Sequence, residues 1–215
     1  MRVSDPSVPT VALPALLRIV GLTAATFGLC GVALATLIYV QGHEFSLFTT
    51  YLSDIGNTPT WPMVTFNTMM LMVAPIRYGF LVLLVMSFMA MGGGRAINVA
   101  LLLIGVPVVI GSAGMSAFPA SRDLALHEGS AMIYFFGTVV LQGLVGLQEI
   151  RLRLPRALAI SSLAVVVIYL VFAVLLALVG QVDGVTRSTP VIWEWMAFAA
   201  LMVWLILHSL MLGRR

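Results

Sequence analysis

Polar positions are scarce along this chain, and they gather in clusters that separate long apolar runs. Six runs stand out, at about 16–40, 62–91, 96–118, 124–147, 157–179 and 190–212. Each is long enough for the roughly 20 helical residues that cross a bilayer. None carries the two-residue alternation of a half-buried strand. The pattern predicts an all-α polytopic membrane protein, a bundle of six transmembrane helices. One domain, 14–212, lies between short tails at 1–13 and 213–215, and 43–61 is the only long polar connection. Pro62, Pro155 and Pro190 fall at first turns, where a missing N–H is harmless. Pro75 and Pro107 fall inside runs, where neighbouring helices can satisfy the freed carbonyls. In the first run Gly21/Ala25, Ala24/Gly28 and Gly31/Ala35 are spaced for close helix contact. That run is too long for the apolar region of a signal peptide, so an uncleaved helix is expected.

Composition narrows the class. Of 215 residues, 61% are hydrophobic and 9% charged, against about 25% charged in soluble domains. So few charges exclude a soluble enzyme, a disordered tail and a nucleic-acid binder. The net charge of +3 comes from arginines that flank the apolar runs. Lysine is absent, and with the Ala, Gly and Val bias this points to a GC-rich bacterial genome. Arg2, Arg18, Arg95, Arg151, Arg153, Arg156, Arg214 and Arg215 fall on one side of the predicted bundle, Arg122 and Arg187 on the other. The positive-inside rule then puts both termini in the cytoplasm and the protein in the inner (cytoplasmic) membrane. Most acids take the opposite side: Glu44, Asp54, Asp123, Glu128, Asp183 and Glu194, against Asp5 and Glu149. Cys30 stands alone, which excludes an intramolecular disulfide and a cysteine-based metal site.

Three polar groups share the acidic side: the segment 49–59, the residues 118–128 and Trp193-Glu194-Trp195. This topology lets Asp54, His127 and Glu194 converge on a polar centre, with Ser53, Asn67, Arg77 and Arg122 as binding residues. Two carboxylates and an imidazole can do acid–base chemistry, hold a divalent cation or clasp a lipid headgroup. The competing reading is structural. Helices that begin on this side favour acids at their first turns, and Trp193 and Trp195 suit an interfacial belt. Arg77 sits near mid-membrane, about 22 Å along its helix, where an arginine must face the bundle interior or water. It either pairs with an inward-dipping Asp54 segment or snorkels to the cytoplasmic side, with Asn67 and Gln142 the nearest polar candidates. His208 reads as interfacial. His127-Glu128 lacks the second histidine of a zincin, Gly111-Ser112-Ala113-Gly114 is not a nucleophile elbow, and Gly92-Gly93-Gly94 is a turn. No metal and no cofactor is assigned.

Tyr51-Leu52-Ser53-Asp54-Ile55-Gly56-Asn57-Thr58-Pro59, followed by Phe66-Asn67, resembles the "Y-I-S-D-x-G-x-x-P" signature of the DRAM/Frag/Sfk family of six-helix membrane proteins. Phe118, His127, Gly129 and Phe135-Phe136-Gly137-Thr138 are similar to that family's "F…H…G…F-x-G-T" stretch, and Glu194-Trp195 to its "E-W". A bacterial family of unknown function shares the "S-D-x-G…F-N…F-P…H" pattern. The resemblance implies a six-helix bundle, an outward-facing Ser-Asp-Gly loop and an involvement with membrane lipids. Trp61-Pro62 stand where that family often has an acid, and Arg77 comes early in its helix. The leading expectation is a protein that binds or remodels lipid at the outer leaflet, with Arg77 or Arg122 receiving an anionic headgroup. A non-catalytic membrane-organising protein is the second reading and a small transporter the third. Membrane lipids are the expected partners, without nucleic acid and with a homo-oligomer left open.

Overall fold

The computed structural model describes residues 13–213, and every regular element among them is an α-helix. In chain order these are α1 (Leu13–Tyr39), α2 (Leu52–Asn57), α3 (Trp61–Ala90), α4 (Arg95–Ala117), α5 (Leu124–Arg151), α6 (Arg156–Leu178) and α7 (Val191–Leu212). All but α2 are long and apolar enough to cross a membrane, the build of a multi-pass membrane protein. The tails expected at 1–13 and 213–215 lie, Leu13 and Gly213 apart, outside the described residues. Two features depart from the apolar runs. Helix α5 continues past 147 to Arg151, because Gln148 and Glu149 are buried rather than solvated. The polar connection 43–61 contains the short helix α2.

The long helices form a closed ring: α1 packs on α3 and α7, and each of α3 to α7 packs on the next. Outward-facing side chains such as Leu103, Ile110, Phe136 and Ile160 are largely exposed, which suits a surface against lipid rather than water. On α1 the small residues let the backbone come close. A Cβ on Gly21 would collide with Phe80 and Ser209, and one on Gly31 with Met69. The ring is filled unevenly. Phe80, Leu84, Phe88, Leu101, Val145, Leu158 and Leu205 are fully buried, and all lie in the half nearest the arginine-bearing end. The half nearest the acidic end encloses a cavity.

The filled half also holds a buried polar cluster that corrects the interfacial reading of His208. Glu149 and His208 are both fully buried and hydrogen-bonded to each other through His208 Nε2. Ser162 Oγ donates to the other Glu149 oxygen at 2.8 Å and accepts the Trp204 indole N–H at 2.8 Å. His208 Nδ1 donates to the Trp204 carbonyl at 2.8 Å, which fixes the ring with Nε2 toward the carboxylate. The cluster joins α5, α6 and α7 with its polar atoms satisfied, the condition for burying ionisable groups at acceptable cost.

A cavity at the acidic end

The motif segment builds the mouth of this cavity. Asp54 accepts the Tyr51 backbone N–H at 3.0 Å, three residues back, and so closes the first turn of α2. Its other oxygen takes Arg187 Nη2 at 2.7 Å. Glu194, from the first turn of α7, accepts the Leu52 N–H at 2.6 Å and the Ser53 N–H at 3.4 Å. Two carboxylates thus satisfy the free N–H groups of one six-residue helix. Thr58 and Asn57 donate side-chain hydrogen bonds back to the Asp54 and Ser53 carbonyls, both at 2.8 Å. Asn67 on α3 donates to the Gly56 carbonyl at 2.8 Å. Gly56 is the residue that allows this approach: a Cβ there would sit 2.7 Å from the Phe66 ring. The Tyr51 hydroxyl donates to the Arg187 carbonyl at 2.6 Å, and the Trp195 indole to the Thr50 carbonyl at 2.9 Å. Burial, reinforced by the Glu194 charge, pushes the Tyr51 phenol up to about 12.

Beneath α2 lies a cavity of about 380 Å3, lined from α2 through α7. Asp54, Ser53, Asn67, Arg77, His127 and Glu194 all border it. The expected residues therefore share one space, yet no hydrogen bond links Asp54, His127 and Glu194 to one another among the described residues. His127 Nδ1 instead donates to the Phe118 carbonyl at 3.1 Å, holding the loop between α4 and α5. Arg122 sits exposed on that loop, outside the cavity. No group of three or more His, Cys, Asp or Glu among the described residues is placed to hold a metal ion.

The floor is built by residues that the motifs did not mark. Arg77 neither pairs with Asp54 nor snorkels to the arginine-bearing end. Its guanidinium turns into the cavity, donating to Ser112 Oγ at 2.7 Å and to the Tyr134 hydroxyl at 3.4 Å. The Tyr134 ring lies 5.9 Å from the guanidinium carbon, within cation–π range. Tyr134 and Tyr169 join their hydroxyls at 3.0 Å. Ser112, Tyr134 and Tyr169 lie five, ten and nine residues from the nearer ends of their helices, about 8 to 15 Å deep at the helical rise. A signal for this floor was present in the sequence. Tyr134, Thr138 and Gln142 recur every four residues on α5 and are all buried, a polar stripe on one face of an apolar helix.

Compared with known protein families, curated proteins and solved structures, the chain matches none.

Proposed function

We propose that this protein binds a membrane lipid, or an amphiphile derived from one, in the cavity beneath α2. The cavity itself carries the reading. It has an apolar wall, a cationic floor and a polar mouth, the distribution that a ligand with an apolar body and a charged group requires. The arginine asymmetry supports an orientation in which the mouth faces the outer leaflet of a bacterial inner membrane. The resemblance to the DRAM/Frag/Sfk family supports an involvement with lipids. On this reading Asp54, Glu194, Ser53 and Asn67 shape the mouth by fixing α2, and Arg77 meets the ligand. A second reading, a non-catalytic membrane organiser, draws on one observation: the motif residues spend their hydrogen bonds on the fold of α2.

The test is lipid extraction of the protein purified from its own membranes. Wild type is expected to retain a lipid species enriched over the bulk membrane, and Ala131→Trp, which fills the cavity, to lose it. Bulk composition in both would overturn the proposal.

A further inference from the structure

The charge inside the cavity decides what kind of amphiphile it takes. Three carboxylates border the cavity. Asp54 is committed to Arg187 and Tyr51 and Glu194 to the N–H groups of α2, while Glu128, near the start of α5, is exposed at the mouth. At the floor the balance is reversed. The one salt bridge to an arginine among the described residues is Asp54–Arg187, so no carboxylate among them lies against Arg77. The Ser112 and Tyr134 hydroxyls accept from it and fix the plane of its fork. A second, mainly apolar cavity of about 60 Å3 adjoins Arg77, with Thr138 and Gln142 among Leu81, Val108, Leu141 and Leu205 in its lining. Thr138 Oγ1 and Gln142 Oε1 are buried there without a protein partner. Arg77 also lines the main cavity, and its two recorded hydrogen bonds use only part of a five-donor planar fork that matches a carboxylate or phosphate. Above it the wall is apolar, with Phe66, Met70, Met115, Phe135, Phe172 and Phe198.

We infer that the occupant is an anionic amphiphile, seated with its carboxylate or phosphate on Arg77 and its apolar body along the wall toward α2. This rests on the binding reading above and adds the ligand's charge, its orientation and the residue that selects it. The anion belongs at the floor rather than the mouth, because the mouth's one cation in the cavity lining, Arg187, is already neutralised by Asp54.

Five probes test it by calorimetry on the protein in phosphatidylcholine nanodiscs: dodecanoate, dodecyl phosphate, dodecanol, dodecyltrimethylammonium and benzoate. Wild type is expected to bind the two anionic amphiphiles at least ten times more tightly than dodecanol, and the cation most weakly. Arg77→Gln is expected to bring that ratio close to one while leaving dodecanol binding in place. Arg77→Lys is expected to retain part of the preference, and Arg122→Gln, at an exposed loop residue outside the cavity, to retain all of it. The wild-type series decides even where a variant does not fold. Equal or tighter binding of dodecanol or the cation overturns the inference, as does an anion preference that survives Arg77→Gln. Benzoate bound as tightly as dodecanoate, with both lost in Arg77→Gln, upholds the arginine site and overturns the lipid reading in favour of a water-soluble organic acid.

Discussion

Asp54 shows how one side chain divides its work. Its carboxylate caps α2 and pairs with Arg187, but the arginine side chain is 67% exposed and that of Asp54 28%, so the pair contributes less than about 1 kcal/mol. Loss of the cap dominates, at about 1 kcal/mol. Asp54→Ala should therefore lower the unfolding midpoint only slightly, and Arg187→Ala less still, as measured by thermal denaturation in detergent. Glu149 behaves differently because it is fully buried. Glu149→Ala leaves His208 and Ser162 without their partner, at a cost of about 3–5 kcal/mol. Glu149→Gln can keep both contacts, its amide nitrogen toward His208 Nε2 and its oxygen toward Ser162, and should unfold close to wild type. Tyr51 adds a pH dependence. Its phenol stays protonated in the folded protein up to about pH 12, whereas in the unfolded chain it ionises near pH 10. The stability it contributes is fully present below pH 10 and is lost as pH rises from 10 through 12. Tyr51→Phe should remove that alkaline component from a stability-against-pH series.

At the scale of elements, the six long helices were legible because an apolar run of bilayer length has few alternatives. The prolines were legible for a similar reason. Pro155 and Pro190 stand immediately before α6 and α7, Pro62 in the first turn of α3, and Pro75 and Pro107 inside their helices. Helix α2 was not legible, since six residues with only Leu52 and Ile55 apolar are too few to establish a helical period. It exists because Glu194, 142 positions away, supplies its N-terminal acceptor. The Glu149–His208 pair escaped for the same reason, with 59 positions between its members. The motif around Ser53 and Asp54 lies at the end of the molecule that holds the larger cavity. What it encodes is the seat of α2, whereas the floor depends on how α4 and α5 meet. Gly111 makes that meeting possible: a Cβ there would lie 2.8 Å from the Ser130 carbonyl oxygen and the Tyr134 backbone nitrogen. Gly111→Val should separate the two helices beside Ser112 and Tyr134, destabilising the fold by about 1–3 kcal/mol and weakening the hold on Arg77. Thermal denaturation and dodecanoate affinity, measured together, check both effects.

The whole molecule is a ring with one half filled and the other hollow. Large apolar side chains and the Glu149–His208 cluster close the arginine-bearing half. In the other half Ser112, Ser116, Ala131 and Ala197 border the cavity without filling it. An arginine at this depth is costly unless it faces water or a counter-charge, and the hollow half provides the space for both. The account therefore makes a joint claim: the hollow half opens away from the cytoplasm, and an anionic amphiphile enters it. One labelling measurement addresses both parts. A cysteine introduced by Ala131→Cys, in a Cys30→Ser background, is exposed to a membrane-impermeant thiol reagent added outside cells whose outer envelope is permeable to it. The account predicts modification from outside and protection by dodecanoate but not by dodecanol at the same concentration. Modification only after the inner membrane is broken, or equal protection by both compounds, would contradict it.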